Sequence, residues 1–253
     1  MGTQGRTPAF GFILATVALD ALSNGLIFPV LPRLVLGLTH DQSGAAATAV
    51  GLIGAAWAAA NFIASPVLGA LSDRFGRRPV LLISTFGSAI DLAVMAMAPT
   101  LSWLVIGRLV CGATAANMAT SAAYLADVTS PEQRARRFGL FSAIYGGGMI
   151  LGPALGGLLG EVSPRAPFWV ASGLTAMAWL YGLLVLPESL PGDRRSPWSW
   201  KAALPVRSFG VYGRDATLIG LGASSFIVQL AAQTANVLFV LYTAHRYGWT
   251  SAT

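Results

Sequence analysis

Charged side chains are scarce in this sequence. Lysine, arginine, aspartate and glutamate together make up 10% of its 253 residues, whereas about a quarter is usual in soluble domains. Apolar residues account for 55%, and the mean hydropathy is +0.64. A soluble core of this size does not need so much apolar surface, so most of that surface is expected to face lipid.

Residues that serve catalysis or phosphate binding are also few. The one cysteine, Cys111, lies in an apolar stretch, which excludes a disulfide within the chain. The two histidines, His40 and His245, fall near the ends of apolar stretches, and no Gly-x-Ser-x-Gly sequence stands at a helix start. The sole lysine, Lys201, belongs to no phosphate-binding Gly-Lys-Ser/Thr motif. These absences argue against a membrane enzyme and against a nucleotide-driven pump.

The formal net charge of +6 does not indicate a nucleic-acid partner. The basic residues are distributed between hydrophobic stretches and do not form a stripe with aromatic residues that could read bases. We interpret them as determinants of membrane topology, and we expect the first apolar stretch to remain as a spanning helix because no cleavage site follows it.

Seven apolar stretches are long enough to cross a hydrocarbon layer of about 30 Å as helices. They cover residues 10–36, 45–71, 79–98, 101–124, 138–160, 166–186 and 216–243. Because cytoplasmic loops carry an excess of arginine and lysine, the distribution of charge predicts that the N-terminus is cytoplasmic. Arg33, Arg165 and Arg246 then lie on the far side, Arg108 lies within a span, and twelve of the sixteen basic residues lie on the cytoplasmic side: Arg6, Arg74, Arg77, Arg78, Arg134, Arg136, Arg137, Arg194, Arg195, Lys201, Arg207 and Arg214.

The domain organisation follows from the longest loop. We predict a six-helix bundle over residues 1–186, itself divided into three plus three helices, a cytoplasmic linker over 187–214, and the first helix of a second bundle over 215–253. The fold class is therefore an all-α integral membrane protein. The odd helix count favours a truncated chain, and a complete seven-span protein is the alternative.

The loop after the second span reads GALSDRFGRRPVLL from residue 69 to residue 82. Retention of a loop in the cytoplasm needs arginines alone, so its fixed order of glycine, acid and base suggests more than topology. We expect a charge latch that closes the cytoplasmic side in one state and opens in another. Asp127, at the end of the fourth span, is expected to pair with Arg77 or Arg78, the alternative being a solvated acid. The latch residues are Gly69, Asp73, Gly76, Arg77, Arg78 and Asp127.

Three charged residues lie inside predicted spans: Asp20, Asp91 and Arg108. Ionised groups within a bilayer are costly and need a partner or water. A rise of 1.5 Å per residue places all three within about one helical turn in depth, so Arg108 could pair with either acid. A static ion pair is one interpretation, and a proton-binding carboxylate is the other, with Asp20 preferred as the titrating or substrate-facing acid.

Small and polar residues mark further faces. Gly148, Gly152, Gly156 and Gly160 recur every four residues along the fifth span, which predicts close helix packing. Polar stripes at helical spacing run along the fourth and seventh spans, and they either bond between helices or line a ligand cavity. The candidate cavity residues are Asn61, Asn117, Gln229, Gln233 and Asn236, beside Thr114 and Ser121 on the Asn117 face.

These motifs resemble those of the major facilitator superfamily, and among them the drug and proton antiporters that include the tetracycline efflux proteins. The similar segments are LDALSNGLIFPVLP in the first span, STFGSAIDLAVMAMAP in the third and IGRLVCGATAA in the fourth, and they place Asp20, Asp91 and Arg108 at the family's charged positions. SPRAPF, LPESL and FIVQLAAQTANVLFV extend the similarity to residue 240. Gly152-Pro153 and Gly156-Gly157, on the face of Gly148, match the fifth-helix motif of the antiporters.

The resemblance implies a transporter of the bacterial cytoplasmic membrane that exports a drug, expected to be tetracycline, in exchange for protons. Family members carry twelve helices and need no cofactor, although a divalent metal accompanies the drug as a chelate. The partners are thus a small molecule and the lipid bilayer. Ser23 and Asn24 depart from the small, glycine-rich stretch of the tetracycline exporters. A multidrug or metabolite exporter, or a remnant that does not transport, remains an alternative.

Overall fold

The computed structural model describes residues 7–27, 29–40, 43–196 and 216–247. Within them all regular structure is helical. Two short 3-10 helices, Pro131–Gln133 and Gly192–Arg194, lie in loops. The α-helices are α1 (Thr7–Ile27), α2 (Leu31–Leu38), α3 (Ser43–Phe75), α4 (Arg77–Met97), α5 (Leu101–Thr114), α6 (Asn117–Asp127), α7 (Arg134–Val162), α8 (Ala166–Val185) and α9 (Ala216–Tyr247).

Six stretches of the described chain are long and apolar enough to cross a membrane, which confirms six of the seven predicted spans. The first span consists of α1 and α2, and the fourth consists of α5 and α6. The second, third, fifth and sixth spans are α3, α4, α7 and α8. The seventh predicted span falls in α9, in which residues Thr217–Ala232 form a shorter apolar segment.

The six spans pack in a pattern that a two-fold repeat would produce. Span one packs mainly on span five, span two packs on span four, and span three packs on span six. Exchanging the first three spans with the last three converts the first of these contacts into the second and leaves the third unchanged. The described bundle therefore has the three-plus-three organisation predicted from the sequence.

The buried apolar side chains form two main clusters, one on each side of a polar layer. One cluster includes Phe12, Leu81 and Phe141, and the other includes Leu26 and Met95. Along α1 and α4 the change from one cluster to the other takes place at Asp20 and at Ser84 to Asp91, respectively. The polar side chains thus lie at mid-depth in the bundle.

The contact between α1 and α7 depends on the glycine face of the fifth span. A Cβ atom added at Gly152 would lie 2.5 Å from Gly25 Cα, and one added at Gly148 would lie 2.6 Å from Ala21 Cβ. Only glycine lets the two backbones approach this closely. The predicted packing face is therefore present, and α1 is the helix that it contacts.

We expect Gly152→Ala to destabilise the protein by about 1–3 kcal/mol, because the new methyl group overlaps the backbone of α1 and forces the helices apart. Gly147→Ala, on the same helix, is the matched control, since a Cβ at Gly147 meets no heavy atom within 4 Å. Thermal unfolding of the two variants in the same detergent measures the difference. Equal stability of the two variants would contradict the assigned contact.

Candidate functional site

A cavity of about 220 Å³ opens in the polar layer between the two apolar clusters. Residues from the first six spans line it, and the aromatic side chains of Trp57 and Tyr145 form part of its wall. The structure brings together here Asp20, Asn61, Asp91, Arg108 and Asn117, all of which were predicted as site residues from the sequence. The cavity thus combines acids, a base, amides and aromatic rings at mid-depth in the bundle.

Asp20 is surrounded by neutral hydrogen-bond donors. Asn117 Nδ2 donates to Asp20 Oδ1 at 3.1 Å, and Asn24 Nδ2 lies 3.4 Å from Asp20 Oδ2. The adjacent Ser23 bonds instead to Thr175 Oγ1 at 3.2 Å, which ties α1 to α8. No salt bridge to Asp20 is found within the described residues.

Asp91 is the acid that pairs with Arg108. Arg108 Nη2 donates to Asp91 Oδ2, and the two side chains are 12% and 1% exposed, respectively. The same nitrogen lies 2.9 Å from Met95 Sδ. The sequence left open which acid Arg108 neutralises. In the structure the ion pair joins Asp91 of α4 to Arg108 of α5. The short loop between Met97 and Leu101 holds these two helices side by side.

The fourth span is interrupted where it meets the cavity. Helix α5 ends at Thr114 and α6 begins at Asn117, so Ala115 and Ala116 lie outside both helices. The Ala116 amide donates to the Thr114 carbonyl at 2.9 Å and to Ser84 Oγ at 3.3 Å, in place of a helical acceptor four residues earlier. The interruption therefore makes Asn117 the first residue of a new helix, beside Asp20.

A second cluster lies at the end of the bundle where the predicted latch falls. Arg77 Nη1 donates to Asp73 Oδ1 at 2.5 Å and to Ser72 Oγ at 3.1 Å, and its Nε donates to Asp127 Oδ2 at 3.2 Å. Of the two arginines considered as partners of Asp127, Arg77 makes the contact. Arg78 Nη2 donates instead to the Leu183 carbonyl at 2.7 Å. The loop after the second span is thus joined to the ends of the fourth and sixth spans.

Glu188 completes this cluster, and the sequence analysis did not identify it. Its carboxylate lies at the N-terminus of α4, where it accepts the backbone amide of Arg77 at 2.8 Å and that of Arg78 at 3.3 Å. The amides of Ser189 and Leu190 also donate to it, each at 3.0 Å. Gly76, with φ 108°, brings the chain close enough that any side chain there would overlap this carboxylate. The one sequence feature that pointed to Glu188 was its place in LPESL, a segment that resembles the family.

Other predicted residues are placed differently. A Cβ atom at Gly69 would meet no heavy atom within 4 Å in the described chain, and Gln229 is exposed on α9. The side chains of Gln233 and Asn236 lie outside the described residues. Gly157 is buried in α7 together with the close-packed glycines, and Pro153 Cδ lies against Gly25.

Comparison with known proteins identifies relatives along nearly the whole chain. The family model of the Major Facilitator Superfamily matches residues 13–253. The class C tetracycline resistance protein of Escherichia coli is 46% identical over 240 residues, which are 94% of this chain and 60% of the relative. The class G tetracycline resistance protein of Vibrio anguillarum is 42% identical over 243 residues, 95% of this chain and 60% of the relative. The chain thus spans about 60% of the length of these curated relatives.

A solved structure supports the fold independently. The crystal structure of the human organic anion transporter MFSD10 (TETRAN) superposes with a TM-score of 0.75 at 24% sequence identity. The match covers 98% of this chain and 67% of that protein. At this identity the likeness concerns the arrangement of helices alone.

Removing one member of the buried ion pair should be more damaging than removing both. Arg108→Met leaves the Asp91 carboxylate buried without its cation, which we expect to cost about 3–5 kcal/mol of folding free energy. The double variant Asp91→Leu, Arg108→Met should recover most of that loss, because no charge is left unpaired. Reversible unfolding in mixed micelles compares the variants, and an additive result would show that the two side chains do not interact.

Loss of the Glu188 carboxylate should loosen the start of α4. We expect Glu188→Ala to cost about 1–2 kcal/mol, as for removal of a helix cap, and to speed hydrogen exchange at the Arg77 and Arg78 amides. Asp193→Ala, which removes an exposed carboxylate from the same connection, is the control. Hydrogen exchange at the Arg77 and Arg78 amides is compared between the two variants by mass spectrometry. Unchanged protection at Arg77 in Glu188→Ala would refute the capping role.

Proposed function

This chain belongs to the major facilitator superfamily, and we propose that it forms the drug-binding and proton-binding bundle of an exporter that exchanges a tetracycline-like drug for protons. The observation that carries the proposal is Asp20, an acid at mid-membrane depth that faces a cavity and is bonded only to neutral amides in the described structure. Ionisable groups in such positions are typical of proton and substrate pathways.

The surroundings of the two acids favour Asp20 as the group that takes up and releases a proton. Protonation of Asp20 breaks no ion pair, because its bonded partners are Asn117 and Asn24. Protonation of Asp91 would leave the Arg108 guanidinium in a buried position without its counter-ion. We therefore assign the titrating role to Asp20, and to Asp91 and Arg108 the role of a fixed charged wall that contacts the substrate.

The lining of the cavity fits a ligand that is both polar and aromatic. Trp57 and Tyr145 offer ring faces, and Asn61 and Asn117 offer amides that can donate or accept hydrogen bonds. The volume of about 220 Å³ is below the 300–1,000 Å³ that drug-sized ligands usually occupy. Walls from a second bundle, including Gln229, Gln233 and Asn236 of α9, would complete the site. A divalent metal would enter with the drug as a chelate and not as a resident cofactor.

We assign the cytoplasmic gate to the Arg77 cluster. Its bonds to Asp73, Asp127 and the Glu188 region join three loops at one end of the bundle, as a latch requires. The close-packed α1 and α7 contact, with Gly148, Gly152, Pro153, Gly156 and Gly157, would keep the bundle rigid while the latch opens. Rigid-body rocking of one bundle against another is the usual form of such transport.

The proposed topology follows the charge distribution. The end that carries the Arg77 cluster faces the cytoplasm of a bacterial cell, and so does the N-terminus. Residues 1–186 form the first bundle, residues 187–214 connect it to the second, and residues 215–253 begin that bundle. The opposite end carries the Arg33–Glu161 salt bridge of 3.4 Å and the Arg165 bonds to the Ala96 and Ala98 carbonyls.

A broader drug range is the second candidate, and one observation favours it. Ser23 and Asn24, which depart from the small residues of the tetracycline exporters, both line the cavity next to Asp20. Added bulk and hydrogen-bonding groups at this position change the shape of the binding surface. This protein and the tetracycline exporters would then share the proton-binding acid and differ in the drugs that they bind.

The proposal predicts that Asp20→Asn abolishes drug export while leaving the protein folded. The test uses this chain and a chimera in which it replaces the matching part of the class C tetracycline resistance protein. Both are expressed in bacteria, and inverted vesicles prepared from these cells are used to measure uptake. We expect proton-driven uptake of tetracycline by the chimera to fall at least about tenfold in Asp20→Asn, with Asp193→Asn unchanged. A tenfold loss corresponds to about 1.4 kcal/mol of the barrier.

The outcomes separate the alternatives. Uptake that is undiminished in Asp20→Asn would remove the role of that acid. Uptake of other cationic or aromatic drugs but not of tetracycline would replace the substrate and retain the mechanism. No transport of any drug by the chain or by the chimera would overturn the proposed function altogether.

A further inference from the structure

We infer that Asn117 is a positioning residue that couples the protonation of Asp20 to the fourth span. When Asp20 takes up a proton, the side-chain amide of Asn117 rotates so that its oxygen and nitrogen exchange places. The inference rests on the proposed function in that Asp20 is the acid that binds the proton. It assigns Asn117 to the acid and not primarily to the substrate.

The geometry places the Asn117 amide between two groups that can change hydrogens. On one side Asn117 Nδ2 lies 3.1 Å from Asp20 Oδ1, and on the other Asn117 Oδ1 lies 3.3 Å from Thr85 Oγ1. The Thr85 hydroxyl also lies 2.8 Å from the Leu81 carbonyl. A row of hydrogen bonds therefore runs from Asp20 on α1 through α6 to the backbone of α4.

With Asp20 ionised, the observed orientation satisfies every group in this row. The Asn117 amide donates to Asp20 Oδ1. Thr85 Oγ1 lies within hydrogen-bond distance of Asn117 Oδ1, at 3.3 Å, and of the Leu81 carbonyl, at 2.8 Å, so its single hydrogen is available to Asn117 Oδ1 in this state. A carboxylate only accepts hydrogen bonds, so the amide nitrogen must face it.

With Asp20 protonated on Oδ1, the same atoms are satisfied by the opposite orientation. The Asp20 hydroxyl then donates to Asn117 Oδ1, Asn117 Nδ2 donates to Thr85 Oγ1, and the Thr85 hydrogen turns to the Leu81 carbonyl. The oxygen and nitrogen of an amide are nearly equal in size, so this exchange needs no movement of the backbone. No hydrogen is gained or lost apart from the proton on Asp20.

The interruption of the fourth span makes this arrangement possible. Ala116 is held by the Ser84 hydroxyl, and Gly87 lies so close to the Thr114 side chain that a Cβ there would overlap it. Both contacts fix the junction of α5 and α6 against α4, and Asn117 follows directly. A change in the row of bonds is therefore applied at the one place where the fourth span is not a continuous helix.

Other ionisable groups face Asp20 and belong in any account of its titration. Tyr145 of α7 lines the same cavity, as do Asp91 of α4 and Arg108 and Cys111 of α5. Helices α6 and α8, which also pack against α1, contribute the neutral Asn117 and Thr175 to the cavity. Among the described residues, Asn117 is the one that contacts both the Asp20 carboxyl and the Thr85 hydroxyl.

The test uses infrared difference spectra of the full 253-residue chain in lipid bilayers, recorded on acidification. Asparagine labelled with ¹³C at the side-chain carbonyl identifies the amide band. We expect the carboxyl band of protonated Asp20 and a shift of the Asn117 amide band to appear together. Asp20→Asn should remove both. Asn117→Leu should move the carboxyl band to higher frequency, because the O–H group of protonated Asp20 loses Asn117 Oδ1 as its acceptor, and should slow proton-driven drug uptake by the chimera about tenfold.

Thr85→Val is a near-isosteric second variant that guards against misfolding of Asn117→Leu. It should retain the carboxyl band and lose the amide shift, since the turned amide no longer finds the Thr85 oxygen. Thr48→Val removes a hydroxyl that donates to the Gly44 carbonyl at 3.0 Å on the exposed part of α3, and it should leave both bands as in the wild type.

An Asp20 band without any amide shift in the wild type, or an amide shift that survives Asp20→Asn, would overturn the inference. Drug export that requires Asp20 but shows no amide shift would leave the proposed function intact and sink the inference alone. Paired carboxyl and amide bands in a protein that transports no drug would support the inference and overturn the proposed function.

Discussion

Hydrocarbon offers no hydrogen bonds, so each polar group inside a span has to find its partner within the protein. This constraint accounts for the polar layer of the bundle. The interrupted backbone at Ala116 turns to Ser84 Oγ, Arg108 turns to Asp91, and the Asp20 carboxyl turns to two amides. The contacts of Ala116 with Ser84, of Arg108 with Asp91 and of Asn117 with Asp20 join different spans, so pairing these polar groups also holds the helices of the bundle together.

The two buried acids show how one constraint yields two kinds of group. Asp91 is satisfied by a full opposite charge, which makes its ionised form part of the structure. Asp20 is satisfied by amides, which can serve a carboxylate or a carboxylic acid equally well after a rotation. A bundle that contains both has a fixed charge and an adjustable one in the same cavity, and only the second can change without the loss of an ion pair.

The sequence predicted the helices, the glycine face and most of the cavity because each rests on a local pattern: length and apolarity, a four-residue spacing, or a charge within a span. It left open the partner of Arg108, since depth alone placed Asp20 and Asp91 equally near. It did not reveal Glu188, whose role depends on a contact between residues more than a hundred positions apart. It also read the fourth span as continuous, because Ala115 and Ala116 are good helix formers. In the structure the Ala116 amide bonds instead to the Thr114 carbonyl and to Ser84 Oγ on another helix.

The contacts of the LPESL segment bear on where this polypeptide can be divided. The Pro187 carbonyl accepts the Tyr124 hydroxyl at 2.8 Å, the Glu188 carboxylate receives the first amides of α4, and the Ser196 amide reaches the Asp73 carbonyl at 3.0 Å. The first part of the connection, from Pro187 to Ser196, is therefore bonded to the first bundle, although it follows the last span of that bundle. A split version, a fusion or an inserted tag would preserve the bundle if its junction came after Ser196. A junction at residue 187 would instead cut away the cap of a helix that begins 110 residues earlier.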